Sequence, residues 1–397
     1  MSKFLFVSSY DLRRNTSGNI RTVALMNCLH DNGHVVHCIF VPSDHSSDKN
    51  IYENLVKVDK LFAYPQKEII CINQSLGEKK MNEDSFKESI RSWAIQMYMK
   101  FSVYDVYEIP LLNLRKNDLN DLDETYDYIV SSAEPRSSHS FAKKIIKLKK
   151  YRAKWILYWG DPMTNDVAST KLFKKREENE ERRLITGADI SVYTNPCAVS
   201  YMKKKYPDLA FKIDWIPTTD FKKIQEEKSK GDLNKIGYFG DYRQIYRNIY
   251  PFYQACCENN YNTIIIGGAD KELESTKTIT VYGRKSRNEI NKFEKDCGIL
   301  MVLENISKSG NCIQVPGKLY HYGLTYKYIL VITESHNIAK EYEKYNRFIF
   351  VPNNKDIIAE AIKNIQAGKY SRMNLLPVKE FEYDNIAKQF FNVINGR

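Results

Sequence analysis

The eight cysteines of this 397-residue chain include no C-x-x-C pair. Cys256 and Cys257 are adjacent in a stretch of helical pattern, and the rest are scattered. A disulfide framework is not expected at this size; reduced thiols in a cytoplasmic protein fit the usage. Long apolar runs are missing too, since none approaches the roughly 20 residues that span a bilayer. The opening MSKFLFVSSYDLRR has too short an apolar core for a signal peptide and reads as a first strand. No G-x-G-x-x-G follows the first strand of either half, which argues against a dinucleotide-dependent dehydrogenase. Pro316-Gly317-Lys318 fails as a Walker loop: Cys312 stands at its first glycine, and Leu319 where Ser or Thr would hold magnesium. H-E-x-x-H is absent, and HDNGH (30–34) reads as a helix end. There is no short repeat and no low-complexity tract.

What is there is enough for two domains. Hydrophobic residues make up 43% of the chain, and its length exceeds one ordinary core. Strand-like runs alternate with helical patterns: KFLFVSS (3–9), VVHCIFV (35–41), YDYIVSS (126–132), KWILYW (154–159), DISVYT (189–194) and KIDWIP (212–217). A charged stretch, 218–234, reads as a linker. The alternation restarts with KIGYFG (235–240), NTIIIGG (262–268), TITVYG (278–283), GILMVLE (298–304), KYILVIT (327–333) and RFIFVP (347–352). Such alternation predicts parallel sheets covered by helices, so the expected fold is α/β with two Rossmann-like, doubly wound domains facing a central cleft. Residues 45–120 look irregular apart from a helix over 85–101.

The formal net charge of +11 favours anionic partners, although the lysines are spread widely. Three features point to a phosphate-bearing ligand. In GYFGDYRQIYRN (237–248) a strand ends at a glycine and enters a loop carrying Arg243 and Arg247. Arginines beyond the carboxyl end of a parallel strand can grip phosphate oxygens through paired N–H donors. Pro316 and Gly317 open a helix whose backbone N–H groups favour an anion, and Lys318 adds a charge. Gly18, in the first loop of domain 1, sits beside another helix start. Asp121 and Asp123 have the D-x-D spacing that metal-dependent sugar transferases use, but their acidic loop NDLNDLDET reads as solvated, and no metal is expected.

Nearly end to end, the chain resembles the two-domain GT-B glycosyltransferases, in particular the retaining family 4-like group. The carriers are KFLFVSSYDLRRNTSGNIRTVALMNCLHDNGHVVHCI, YIVSSAEPRSSHSFAKKI, WILYWGDP, YFGDYRQIYRN, VYGRKSRNEINKFEKDCGILMVLEN and VPGKLYHYGLTYKYILVI. The resemblance implies an acceptor-binding domain over 1–217, a nucleotide-sugar-binding domain over 235–375, and a C-terminal helix (376–397) folded back on the first domain. It implies that Arg243 and Arg247 neutralise the leaving diphosphate and that Asp161 and His139 stand on the acceptor side. It places Val315, Pro316, Gly317, Lys318, His321, Gly283 and Gly18 around the donor.

The implied partners are a nucleotide-diphosphate sugar and a glycan or lipid-linked acceptor, with neither metal nor cofactor and no nucleic acid. A role in surface polysaccharide synthesis follows, in the cytoplasm or on the inner face of the plasma membrane; the aromatic and basic segment 91–107 suits an acidic membrane surface. One departure stands out. The two glutamates of the family fall at Ile313 and His321, so a neutral His321 is expected to hold the donor ribose in place of a carboxylate. Two rival readings stay open: a non-catalytic glycosyltransferase-like partner, and a nucleotide-sugar epimerase of the same fold.

Overall fold

The Val-, Ile-, Leu- and Phe-rich runs pair into two parallel sheets, of seven and six strands. The computed structural model describes residues 1–396 apart from 13, 15, 43–55, 66–84, 166–172, 222–227, 243–246, 270, 272 and 306–312. The chain divides into two compact units, 1–193 with 206–214, and 194–205 with 215–397.

In the first unit the strands are β1 (Lys3–Ser8), β2 (Val35–Phe40), β3 (Lys60–Ala63), β4 (Tyr128–Ser132), β5 (Lys154–Trp159), β6 (Ile190–Tyr193) and β7 (Ile213–Trp215). They lie in the order β3-β2-β1-β4-β5-β6-β7. Helices α1 (Ser17–Asp31), α2 (Ser85–Phe101), α3 (Ser137–Lys149) and α4 (Lys174–Gly187) alternate with them. Phe4 of β1 stands opposite both Val36 and Tyr128, so β1 is buried between its neighbours and reads as one apolar run. Strand β3, absent from the sequence reading, is an edge strand with mostly exposed side chains. An edge needs no apolar alternation, which is why the pattern was silent there.

The second unit begins with α5 (Pro196–Lys205) and continues with β8 (Asp232–Phe239), α6 (Tyr250–Glu258), β9 (Asn262–Ile266), β10 (Ile279–Tyr282), α7 (Arg287–Asp296) and β11 (Cys297–Leu303). It is completed by α8 (Gly317–Gly323), β12 (Tyr328–Ile332), α9 (His336–Glu343), β13 (Phe348–Val351), α10 (Lys355–Gln366) and α11 (Tyr383–Ile394). The strand order is β10-β9-β8-β11-β12-β13. Along β11, Ile299, Met301 and Leu303 face one core while Leu300 and Val302 face the other. Burial on both faces explains an unbroken hydrophobic strand.

Three segments differ from the domain limits expected above. Helix α5 counts with the second unit although its sequence precedes the expected linker. Thr218–Phe221, expected as the start of the linker, is buried in the second unit, where Asp220 finds ion-pair partners and Phe221 is 3% exposed. Helix α11, expected to fold back on the first domain, also counts with the second unit.

Candidate functional site

In each sheet the chain winds outward in two directions from one central pair, β1/β4 in the first unit and β8/β11 in the second. The loops beyond the carboxyl ends of such a pair diverge and leave a crevice, which is where open parallel sheets bind ligands.

In the second unit this edge is built tightly. Gly240 directly follows β8, and its carbonyl oxygen comes so close to Gly267 beyond β9 that a Cβ there would fall 1.9 Å from it. Only glycine permits that approach. Next in sequence, the Asp241 carboxylate accepts from the Gly268 N–H at 2.8 Å and from Arg284 Nε at 3.0 Å, so one side chain ties together the loops after β8, β9 and β10. Although burial works to raise it, hydrogen bonds and charge from Arg284 hold the Asp241 carboxyl below its usual range.

Arg247 is oriented from both sides of the crevice. Its Nε donates to Asn305 Oδ1 beyond β11 at 2.8 Å, and its Nη1 donates to the Asp241 carbonyl at 3.2 Å. Asn305 is itself fixed, donating to Gln314 Oε1 at 2.9 Å. Lys318, in the first turn of α8, passes beside Gly240: a Cβ built there would lie 3.5 Å from Lys318 Cε. Burial lowers the Lys318 amine to about 8; Glu294 pulls it back up, while Arg287 and Arg247 push it down. Two cations therefore flank Gly240–Asp241 at the head of the β8/β11 crevice. Such a pair suits a diphosphate, with Arg247 supplying a fork of donors and Lys318 a point charge.

The other residues expected around the donor divide. Gly317 and Gly283 have open space where a side chain would be, and Val315 and Pro316 are partly exposed beside them. Arg243 lies outside the described residues. Gly18 belongs to the first unit, in the first turn of α1, where its carbonyl accepts from Thr22 Oγ1 at 2.8 Å. His321 does not stand free to meet a ribose. Its Nδ1 is ion-paired with Asp220, and its Nε2 lies 3.1 Å from Glu294 Oε2. Arg287 joins the cluster, with an Nη2 2.6 Å from Asp220 and 3.0 Å from His321 Nε2. Burial and the neighbouring Arg287 would lower the His321 pKa, but Asp220 and Glu294 raise it overall, which favours the protonated ring. The free, ribose-facing histidine expected from the sequence is corrected on this geometry: each ring nitrogen is turned to a carboxylate. Ile313, at the other glutamate position, is 6% exposed and packs in the core.

Sequence reasoning missed Asp220, Arg287 and Glu294. A signal existed: Arg287, Ile290 and Glu294 follow helical spacing on α7, so two charges share its buried stripe with apolar residues. A charge on a buried stripe calls for a partner.

In the first unit His139 is fully buried. Its Nδ1 is 2.7 Å from Ser131 Oγ, its ring lies 4.0 Å from that of Trp159, and burial lowers its pKa to about 3. It is a neutral core residue, and the catalytic role expected of it has no support from this position. Asp161 is partly exposed just beyond β5. Asp123 is ion-paired with Lys3 and Lys60, whose hydrogen bonds lower its carboxyl to about 2. Its oxygens are committed to lysines. Among the described residues no group of three or more His, Cys, Asp or Glu could hold a metal ion, and no helix is long and apolar enough to cross a membrane.

No protein-family model and no curated protein matches the sequence. Solved structures do match. HepE from Anabaena in complex with UDP-glucose aligns over 100% of both chains with a TM-score of 0.61 at 10% identity. Arabidopsis thaliana UGT89C1 complexed with UDP aligns over 99% of this chain and 100% of its own, with a TM-score of 0.54 at 12% identity. The UDP-GlcNAc 2-epimerase of Neisseria meningitidis bound to UDP-GlcNAc aligns over 100% of both chains, with a TM-score of 0.52 at 12% identity. The chain thus shares the two-domain, GT-B-type fold of these proteins from end to end.

Proposed function

We propose that the protein is a glycosyltransferase that binds a nucleotide-diphosphate sugar on its second unit and passes the sugar to a glycan or lipid-linked acceptor. The observation that carries this reading is the pair of cations, Arg247 and Lys318, flanking Gly240–Asp241 at the β8/β11 crevice. Stabilising the charge on a departing diphosphate is the chief electrostatic task of such a transfer, and fixed cations perform it with little reorganisation. We read the reaction as metal-independent and retaining, with Arg243 assisting Arg247. We further read the acceptor as part of a surface polysaccharide assembled at the inner face of the plasma membrane. The fold of UDP-binding proteins makes UDP-sugars the first donors to try.

The epimerase alternative needs a carboxylate free to exchange a proton with the sugar. Asp241 is held by Arg284, and Asp220 and Glu294 are locked with Arg287 and His321, which favours transfer. The non-catalytic alternative draws on a specific observation: neither Ile313 nor His321 offers the ribose a carboxylate.

A thermal-shift series with UDP, ADP, GDP and their glucose conjugates tests the proposal. A ligand at about 100 times its Kd adds roughly 2.7 kcal/mol to the stability of the state that binds it. A shift with at least one nucleotide sugar, followed by release of free nucleotide diphosphate in the presence of acceptor, is expected. No shift with any of them leaves the non-catalytic reading standing.

A further inference from the structure

The first unit carries two guanidinium groups at its own switch point that the proposed transfer has not used. Arg21, one turn into α1, donates from Nη2 to the carbonyl of Ala133, just beyond β4. Its Nε is buried without a hydrogen-bond partner. The plane of the group lies over Gly160 at the end of β5, where a Cβ would fall 2.4 Å from Nη1 and Nη2. Any side chain at 160 would evict it. Arg14, in the loop between β1 and α1, is held differently. Its guanidinium lies 4.8 Å from the Tyr10 ring centroid, and Nη1 donates to the Tyr107 hydroxyl at 3.2 Å. Tyr10 and Tyr107 meet edge to face at 4.7 Å.

Among the described residues, no carboxylate lies within ion-pair distance of either group. Three other arginines of the unit are matched: Arg136 with Glu177 at 2.6 Å, and Arg183 and Arg182 with Glu180 and Asp208. A guanidinium has five N–H donors and no acceptor. Arg21 and Arg14 each commit one of these to the protein in an identified hydrogen bond. Fixed, unmatched guanidinium groups at the carboxyl ends of β1, β4 and β5 are complementary to a planar or tetrahedral oxyanion.

We infer that the acceptor carries an oxyanion, a carboxylate or a phosphate on the sugar that receives the transfer, and that Arg21 seated on Gly160 grips it together with Arg14. This rests on the proposed transfer reaction and names the class of its acceptor. No covalent step involves either arginine; both are specificity-determining groups that position the acceptor.

The test compares glucose, glucuronate and glucose 6-phosphate by ligand-observed NMR titration of the full chain with UDP saturating the donor site. The two anionic sugars separate a carboxylate source from a phosphate source. Wild type is expected to bind at least one of them about tenfold more tightly than glucose, as for one charge-assisted contact. Arg21→Gln and Arg14→Gln are expected to remove most of that preference, and Gly160→Ala to remove it by displacing Arg21. Arg21→Lys should keep part of it, since the charge stays and the fork is lost. Arg182→Gln deletes the same charge at a surface pair and should leave the preference intact. Thermal midpoints of every variant establish that each is folded. Equal affinity of wild type for all three sugars overturns the inference, and so does an anionic preference that survives both Arg21→Gln and Gly160→Ala. If UDP does not bind, the donor reading fails separately, and the same sugar titrations without UDP still decide the acceptor class.

Discussion

Replacing His321 with Gln removes a buried imidazole, whose charged form is favoured, from between two carboxylates while keeping most of the ring's volume. Glu294 Oε2 stands 3.1 Å from His321 Nε2. At an effective dielectric constant of 20 that contact alone is worth about 5 kcal/mol before other terms. Asp220 adds attraction, whereas Arg287, 3.0 Å from the same ring nitrogen, opposes it, and desolvating the ring costs several kcal/mol more. Breaking a buried ion pair from one side typically costs about 3–5 kcal/mol, and the repulsion from Arg287 argues for the lower end, roughly 3 kcal/mol. Lys318, 3.9 Å from Glu294, can take over part of the balance.

The pH dependence fixes the sign. The folded pKa of His321 is raised, so its contribution is complete below about 6.5, the unfolded value, and fades as pH rises through the folded one. Urea unfolding of wild type and variant at pH 5.5 and pH 9 should therefore show a wide gap at the lower pH and a narrower one at the higher. The carboxylates run the other way: Asp220 and Glu294 are depressed, so their contribution is lost only as pH falls below about 4, outside this window. A gap under about 1 kcal/mol at pH 5.5, or one that widens with pH, would refute the ion-pair account. Donor affinity measured alongside should hardly change, in contrast to the ribose contact expected from sequence.

Further outcomes follow from the crevice. With its amine at about 8, Lys318 loses charge as pH rises through that value, so UDP affinity should fall between pH 7 and 9, and Lys318→Met should flatten the profile in calorimetric titration. Arg247→Ala and Arg243→Ala should each lower turnover by about 2–4 kcal/mol of transition-state stabilisation with little change in thermal midpoint; unchanged turnover in both would remove them from the mechanism. Transfer should persist in EDTA. Activity that vanishes with chelator and returns with Mn²⁺ would bring a metal back into the reaction.

The central strands were legible because burial on both faces leaves an unbroken apolar run, as in KFLFVS of β1 and CGILMVL of β11. Helix α2 was equally plain from its length and periodicity, its observed limits being those expected. Edge strand β3 was not, since a strand with one neighbour and solvent around it has no pattern to display. At the site, Arg247 was legible from its loop past a strand end and Lys318 from the Pro-Gly pair that opens its helix. His321 did not, because its character is decided by Asp220, about a hundred residues earlier, and by Glu294 on another helix. Local sequence cannot say whether an imidazole will be neutral or charged; that depends on which carboxylates the fold delivers to it. His139 shows the converse: full burial beside Ser131 and Trp159 disfavours its charged form.

The path of the chain bears on how such a protein can be taken apart. Helix α5 joins the second unit, residues 206–214 return to the first, and the chain crosses again at Trp215. Asp220 then docks on Arg287, and Thr219 Oγ1 donates to the Phe381 carbonyl at 2.9 Å. No single cut therefore separates the two units. A gene fragment beginning at β8 would encode all six strands of the second sheet yet omit α5 and Asp220, one of the two carboxylates that face Arg287 and His321. Recombination that exchanges second units between proteins of this fold has to carry two non-adjacent stretches of coding sequence together, and on the ribosome α5 emerges well before the sheet of the unit it joins.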